Sequence, residues 1–240
     1  MKKALILVAC ISLASCAELQ QVAAQLPTST QTGTGILSNA DISAGLKEAL
    51  NKGIENQVSK LTATDGFYKD EAVKILLPAE LQKVDQTLRK AGMSALADEG
   101  LKVLNRAAES AVKEATPIFV DAIKNMSIAD AKNILMGGDG AATNYLKSAT
   151  QSALTAKFTP VVQSSLGKVG ADKVWSNIIS KYNALPLTQD VNPDLTNYVT
   201  EKALQGVYTK INVEETAIRT NLNARTSSTL QKVFALQDKK

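Results

Sequence analysis

In KNILMGGDGAATNYLK, residues 132–147, Gly137, Gly138 and Asp139 stand beside Gly140 and Thr143. Those residue types cradle phosphate when they join a strand to a helix. Upstream, Asn105, Arg106 and Glu109 interrupt an apolar run, and the last two lie three apart, so they share one helix face and can pair. Downstream, Glu214, Glu215, Arg219 and Arg225 are further charges for such a cluster, and Glu215 precedes Arg219 by the favourable four positions. A solvated or structural ion-pair network explains these residues as well as a ligand-binding or catalytic cluster does, and it is the favoured reading.

What the chain lacks narrows the chemistry. It contains no histidine, which excludes Ser–His and Cys–His nucleophiles and the usual histidine-containing zinc sites. Carboxylate, lysine, arginine, tyrosine and serine chemistry remain. No catalytic motif stands out, so an enzyme is the less favoured class, and neither a metal nor a cofactor is expected.

The glycine-rich stretch comes within one residue of G-x-G-x-x-G, but that fingerprint needs a strand before it, and no Gly-Lys-Ser/Thr follows to make a Walker loop. The periodicity of residues 129–136 is helical. The expectation is therefore a helix–helix corner, with Gly137 or Gly138 at positive φ ending one helix. Asp139 would then cap the next by accepting from the N–H of Ala141 or Ala142. An anion bound at an exposed helix N-terminus is the alternative, although Asp139 would repel it.

A third chemical feature is Cys16. Lys2 and Lys3 precede an apolar run from Ala4 to Ala14, and Leu13-Ala14-Ser15-Cys16 follows, the layout of a secretory signal over residues 1–15. The run is too short to span a bilayer about 30 Å thick. Its ending resembles the bacterial lipobox, which implies that Cys16 is diacylated on sulfur and becomes the first mature residue. Leu7-Val8-Ala9-Cys10 has the same pattern but would leave an apolar core of only about six residues, too short for a signal. An ordinary secreted protein with an incidental Cys16 is the alternative. Of the two cysteines, Cys16 alone would survive cleavage, so no intramolecular disulfide is expected. Two or three acyl chains hold a protein to a membrane stably, where one does so marginally.

Charge says little about partners. The chain carries 27 basic and 23 acidic residues; removing Lys2 and Lys3 leaves 25 against 23, too balanced for a nucleic-acid partner.

Stepping outward to the elements, residues 16–38 comprise the lipidated cysteine and a Gln-, Thr-, Ser- and Gly-rich stretch that reads as a flexible tether, about 25 Å end to end. Residues 39–240 read as one all-α domain. Ile42, Leu46, Leu50, Ile54, Val58 and Leu61 mark one helix, capped by Asn39 or Asp41, which Gly45 and Gly53 weaken unless they sit where a neighbour approaches closely. In GFYKDEAVKILLP the run AVKILL has strand character, but a lone strand has no partner, so a short helix ending at Pro78 is expected. Pro78 then opens a helix that buries Leu81, Val84 and Leu88.

From Asp98 to Met126 the alanine-rich stripe predicts the central hairpin or central helix of the bundle, bent at Pro117. Ser127 and Asp130 predict a capping box. Further helices are expected at about 140–158, 160–183, 193–211 and 213–236, parted by Pro160, Pro186, Pro193 and an Asn212–Glu215 cap. In the second of these helices, Val174, Trp175, Ile178, Ile179 and Tyr182 follow a helical stripe, read as core, with a lipid or partner groove as the alternative.

Three blocks together carry a resemblance: LNRAAESAVKEATPIF, SIADAKNILMGGDGAATNYLK and YVTEKALQGVYTKINVEETAIR with ARTSSTLQKVF. From about Ile42 to Phe234 the chain resembles DUF4197, a bacterial family of unknown function. The resemblance implies an exported, mostly helical protein and brings no activity, ligand or catalytic residue.

The function expected is that of a lipid-anchored cell-envelope protein, held by its acyl chains to the outer membrane and facing the periplasm. Its helical domain would bind or scaffold an envelope protein partner. The alternative is a carrier of lipid or of small apolar ligands in a cavity between helices.

Overall fold

The computed structural model describes residues 37–168 and 195–238, with residues 177 and 180 between them. The signal, Cys16, the tether and the Trp175 stripe lie outside the described residues. The described part is all-α: α1 (Asn39–Thr62), α2 (Ala79–Lys90), α3 (Ser94–Val112), α4 (Ala115–Lys124), α5 (Ile128–Met136), α6 (Ala141–Lys168), α7 (Thr196–Thr220), a 3-10 turn (Leu222–Ala224) and α8 (Ser228–Phe234). Helices α3, α6 and α7 pack on one another, while α1 lies across α4, α5, α7 and α8.

The first helix buries the whole stripe that its periodicity marks, from Ile42 to Leu61. Its N-cap is Ser38 rather than Asn39, and Asp41 completes a capping box: Ser38 Oγ accepts from the Asp41 N–H at 3.1 Å and the Asp41 carboxylate accepts from the Ser38 N–H at 3.0 Å. The Ser38 hydrogen bonds hold the Asp41 carboxyl below the usual carboxylate range. At Gly45 a Cβ would stand 2.5 Å from Val233, so only glycine lets α8 seat against α1. Helices α1 and α7 run antiparallel, since Gln57 reaches Glu214 and Phe67, just beyond α1, meets Gly206.

Proline placement departs from expectation in two ways. The stripe from Asp98 to Met126 is two helices, and the break is not at Pro117. The chain breaks at Lys113–Glu114, and Pro117 sits in the first turn of α4, where no intrahelical donor is needed. Conversely, Pro160 breaks nothing and lies inside α6. Its missing N–H would have bonded the Ala156 carbonyl, and both residues lie on the exposed face, where solvent can take the place of that donor. The neighbouring Phe158 and Val162 are fully buried and pin the helix across the proline.

Helix α7 likewise runs uninterrupted through Asn212–Glu215, so the cap expected there is absent. The Ser127–Asp130 capping box is present and opens α5. The segment expected as a short helix before Pro78 is a strap instead: turns to Val73, then neither helix nor strand from 74 to 78. Along the strap burial alternates, with Val73, Ile75 and Leu77 inside and Leu76 exposed. The core is one cluster in which Phe119 meets Tyr208 edge-on at 6.1 Å, and the Tyr208 hydroxyl pairs with Thr150 at 2.9 Å.

Candidate functional site

The glycine corner is a helix stop followed by a helix start, but its capping chemistry comes from elsewhere in the chain. Gly137 is the C-cap of α5 with φ −71° and ψ 169°. Neither it nor Gly138 takes a positive φ; Gly140 does, at +81°. Asp139 is exposed and does not cap α6. The N–H groups of Ala142 and Thr143 donate instead to the Glu215 carboxylate at 3.0 and 2.9 Å, and the Thr143 hydroxyl adds a bond at 2.8 Å. A buried carboxylate on α7 reaches the first turn of α6 with a full charge, which the partial positive charge of a helix start favours. That carboxylate occupies the place an anionic ligand would take.

One turn further along α7, Arg219 serves the other side of the corner. It bonds Glu215 at 2.9 Å and donates to the carbonyls of Ile134 at 2.8 Å, Leu135 at 3.3 Å and Gly137 at 3.2 Å. Those are orphan acceptors at the end of α5. Arg225 closes α7 by donating to the carbonyls of Ile218 at 2.9 Å and Arg219 at 3.0 Å, and it holds Asp238 at 2.8 Å. The Arg225 hydrogen bond keeps the Asp238 carboxyl below its usual range. Glu215, Arg219 and Arg225 are all buried. Each acts on backbone ends.

The upstream charges form a separate group. Arg106 bridges Asp65 at 2.7 Å and Glu109 at 2.8 Å, and Glu109 also accepts from the Phe67 N–H at 3.2 Å. Glu214, Glu215, Arg219 and Arg225 do not supply its partners, contrary to expectation; Glu214 accepts from Gln57 at 2.6 Å. Asp65 has φ +65° and begins the turn that leaves α1. The Lys69 hydrogen bond, aided by the charge of Arg106, pulls its carboxyl down. This cluster anchors the turn after α1.

Asn105 does something different. Its Oδ1 accepts from the Ile75 N–H at 2.8 Å and its Nδ2 donates to the Ile75 carbonyl at 2.9 Å. One amide side chain thus supplies both bonds that a neighbouring strand would give. The strap needs no strand partner because Asn105 is one.

Beside the strap lies the feature that sequence reasoning missed, an open cleft of about 610 Å³ between residues 72–79 and the Tyr198–Thr209 stretch of α7. Lys74, Leu76, Gln82, Tyr198, Lys202 and Gln205 face it. The signal for it was the alternation in AVKILL, which marks an extended segment with one face outward. Among the described residues no helix is long and apolar enough to cross a membrane.

No curated protein and no solved structure matches the chain significantly. A family model described as protein of unknown function, DUF4197, matches residues 36–235. With most of its length covered by that model, the chain belongs to the DUF4197 family.

Proposed function

We propose that this chain is a lipid-anchored cell-envelope protein, tethered through Cys16 to the outer membrane on its periplasmic side, whose helical domain docks a partner protein. The observation that carries the docking reading is the open cleft beside the strap. Three facts support it. Glu109, Glu215, Arg219 and Arg225 are committed to helix ends and turns, which leaves little for catalysis. The cleft lies at the Phe67 end of α1, about 36 Å along that helix from Asn39, where the tether joins, since a 24-residue helix rises about 1.5 Å per residue. The apolar void between α1 and α7, lined by Leu50, Ile54 and Phe234, measures only about 30 Å³, while the spaces of ligand size, about 610 and 430 Å³, are open clefts with charged side chains in their walls rather than apolar cavities. That difference favours a docking surface over a lipid carrier.

Anchor and docking are tested separately. Cys16→Ser should abolish labelling by radioactive palmitate and release the chain from membranes; unchanged labelling and fractionation would refute the anchor. A photo-crosslinking residue placed at Leu76 or Gln205 should give the same adduct in intact cells, identified by mass spectrometry, while one at exposed Lys157 gives none. Equal adducts from all three positions, or none from either cleft position, would refute docking in the cleft.

A further inference from the structure

The strap offers the cleft a half-open backbone edge, on which the Lys74 N–H already donates to the Asp70 carbonyl at 2.8 Å. In an extended segment the N–H and C=O of one residue point to the same side and those of the next residue to the opposite side. Asn105 takes both groups of Ile75, so those of Lys74 and Leu76 face the other way. The Leu76 carbonyl does so visibly, accepting from the Tyr198 hydroxyl on the α7 wall at 2.7 Å. Among the described residues, neither the Leu76 N–H nor the Lys74 carbonyl carries a hydrogen bond. A donor and an acceptor on one edge, beside an exposed Leu76 side chain (56%), are what an added strand pairs with.

Charge selects the kind of strand. Among the described residues lining the cleft, the charged side chains are those of Lys74 and Lys202, and none is a carboxylate. Each ammonium lies over a tyrosine ring, Lys74 at 5.1 Å from Tyr68 and Lys202 at 5.8 Å from Tyr198, which orients it without neutralising it. Among the described residues Lys74 pairs with Glu71 at 3.3 Å, a carboxylate that is 83% exposed, and such a pair exchanges partners at little cost. Among the described residues, the hydrogen bond of the Lys202 ammonium goes to the neutral Gln205 amide, at 3.2 Å.

Resting on the docking reading above, we infer that the cleft takes an extended acidic peptide segment of its partner, which pairs as a strand with Leu76 N–H and Lys74 C=O and sets its carboxylates against Lys74 and Lys202. Affinity comes from the backbone edge and selectivity from the two lysines.

The test uses the whole chain purified from membranes in detergent and a displayed library of ten-residue peptides. Wild type should enrich peptides with Asp or Glu at alternate positions, and a synthesised member should bind at least tenfold more weakly in high salt. Leu76→Pro removes the free N–H, and its restriction of Ile75 to extended backbone suits the strap. It should weaken that peptide tenfold or more with unchanged circular dichroism. Lys202→Glu should lose acidic selectivity, a readout that stands even if Leu76→Pro fails to fold. Enrichment without acidic bias, binding indifferent to both substitutions, or binding to phosphatidylglycerol vesicles in place of peptides would overturn the inference. If the library yields nothing while the Leu76 crosslinker still captures its partner, the peptide chemistry is wrong and docking stands; if both fail, both are wrong.

Discussion

Replacing Glu215 by alanine isolates the device that holds the glycine corner. The carboxylate accepts from Ala142 N–H at 3.0 Å, Thr143 N–H at 2.9 Å, Thr143 hydroxyl at 2.8 Å and Arg219 Nε at 2.9 Å. Loss of a helix N-cap costs about 1 kcal/mol. Removing one partner of a buried ion pair costs about 3–5 kcal/mol, because the other charge stays buried, and Arg219 is only 2% exposed. Both effects come from one side chain and are not additive, so the expected loss is about 3–5 kcal/mol. Glu215→Gln keeps one acceptor but turns an NH2 group toward donors, for an intermediate loss of about 1–3 kcal/mol.

Urea unfolding followed by circular dichroism measures these losses, and hydrogen exchange reads the Ala142 and Thr143 amides directly. Asp139→Ala is the control: Asp139 is exposed, so its removal should stay within about 0.5 kcal/mol. If Glu215→Ala costs less than about 1 kcal/mol with both amides still protected, or Asp139→Ala costs more than Glu215→Ala, the cross-capping argument fails.

Asn105→Ala strips two bonds from buried Ile75 and should cost about 1–3 kcal/mol for each orphaned backbone group. Limited proteolysis should then cut within residues 70–78, and a strap that stays protected would speak against the strand-partner role of Asn105. Acid titration gives a second check. Asp41, Asp65, Asp130 and Asp238 are all held below 3.8 by hydrogen bonds, from Ser38, Lys69, Ser127 and Arg225 respectively. Carboxyls depressed in the folded state stabilise it above their unfolded pKa, and that contribution is lost as pH falls through the folded values. The melting temperature should hold steady between about pH 5 and 8, because the chain has no histidine to titrate there, and fall below about pH 3.8. A calorimetric midpoint that declines between pH 8 and 5 would contradict this.

The local elements were legible from residue types and periods. The α1 stripe, the Ser127–Asp130 box and the buried Leu81, Val84 and Leu88 follow from spacing and capping chemistry that act within a few residues. The same local logic, applied to GGDG, chose Asp139 as cap because it was the nearest acceptor, and it broke the chain at Pro160 because proline removes a bond. Both choices were overruled by residues distant in sequence. Glu215 lies more than seventy positions from the N–H groups it satisfies, and Phe158 and Val162 hold α6 together by burial that no local window reveals.

The strap shows the division most plainly. AVKILL has strand character, but with no strand in view to pair it the local logic chose a short helix, and the structure shows an extended strap. Only the packed structure put an amide from α3 thirty residues away against Ile75 and left the opposite edge facing α7. Residue order therefore sets which local conformations are cheap, since capping and periodicity act over a turn or two. Which backbone groups find partners, and which stay open at the cleft, depends on long-range packing, because a side chain buried by tertiary contacts satisfies whatever polar group the fold brings to it.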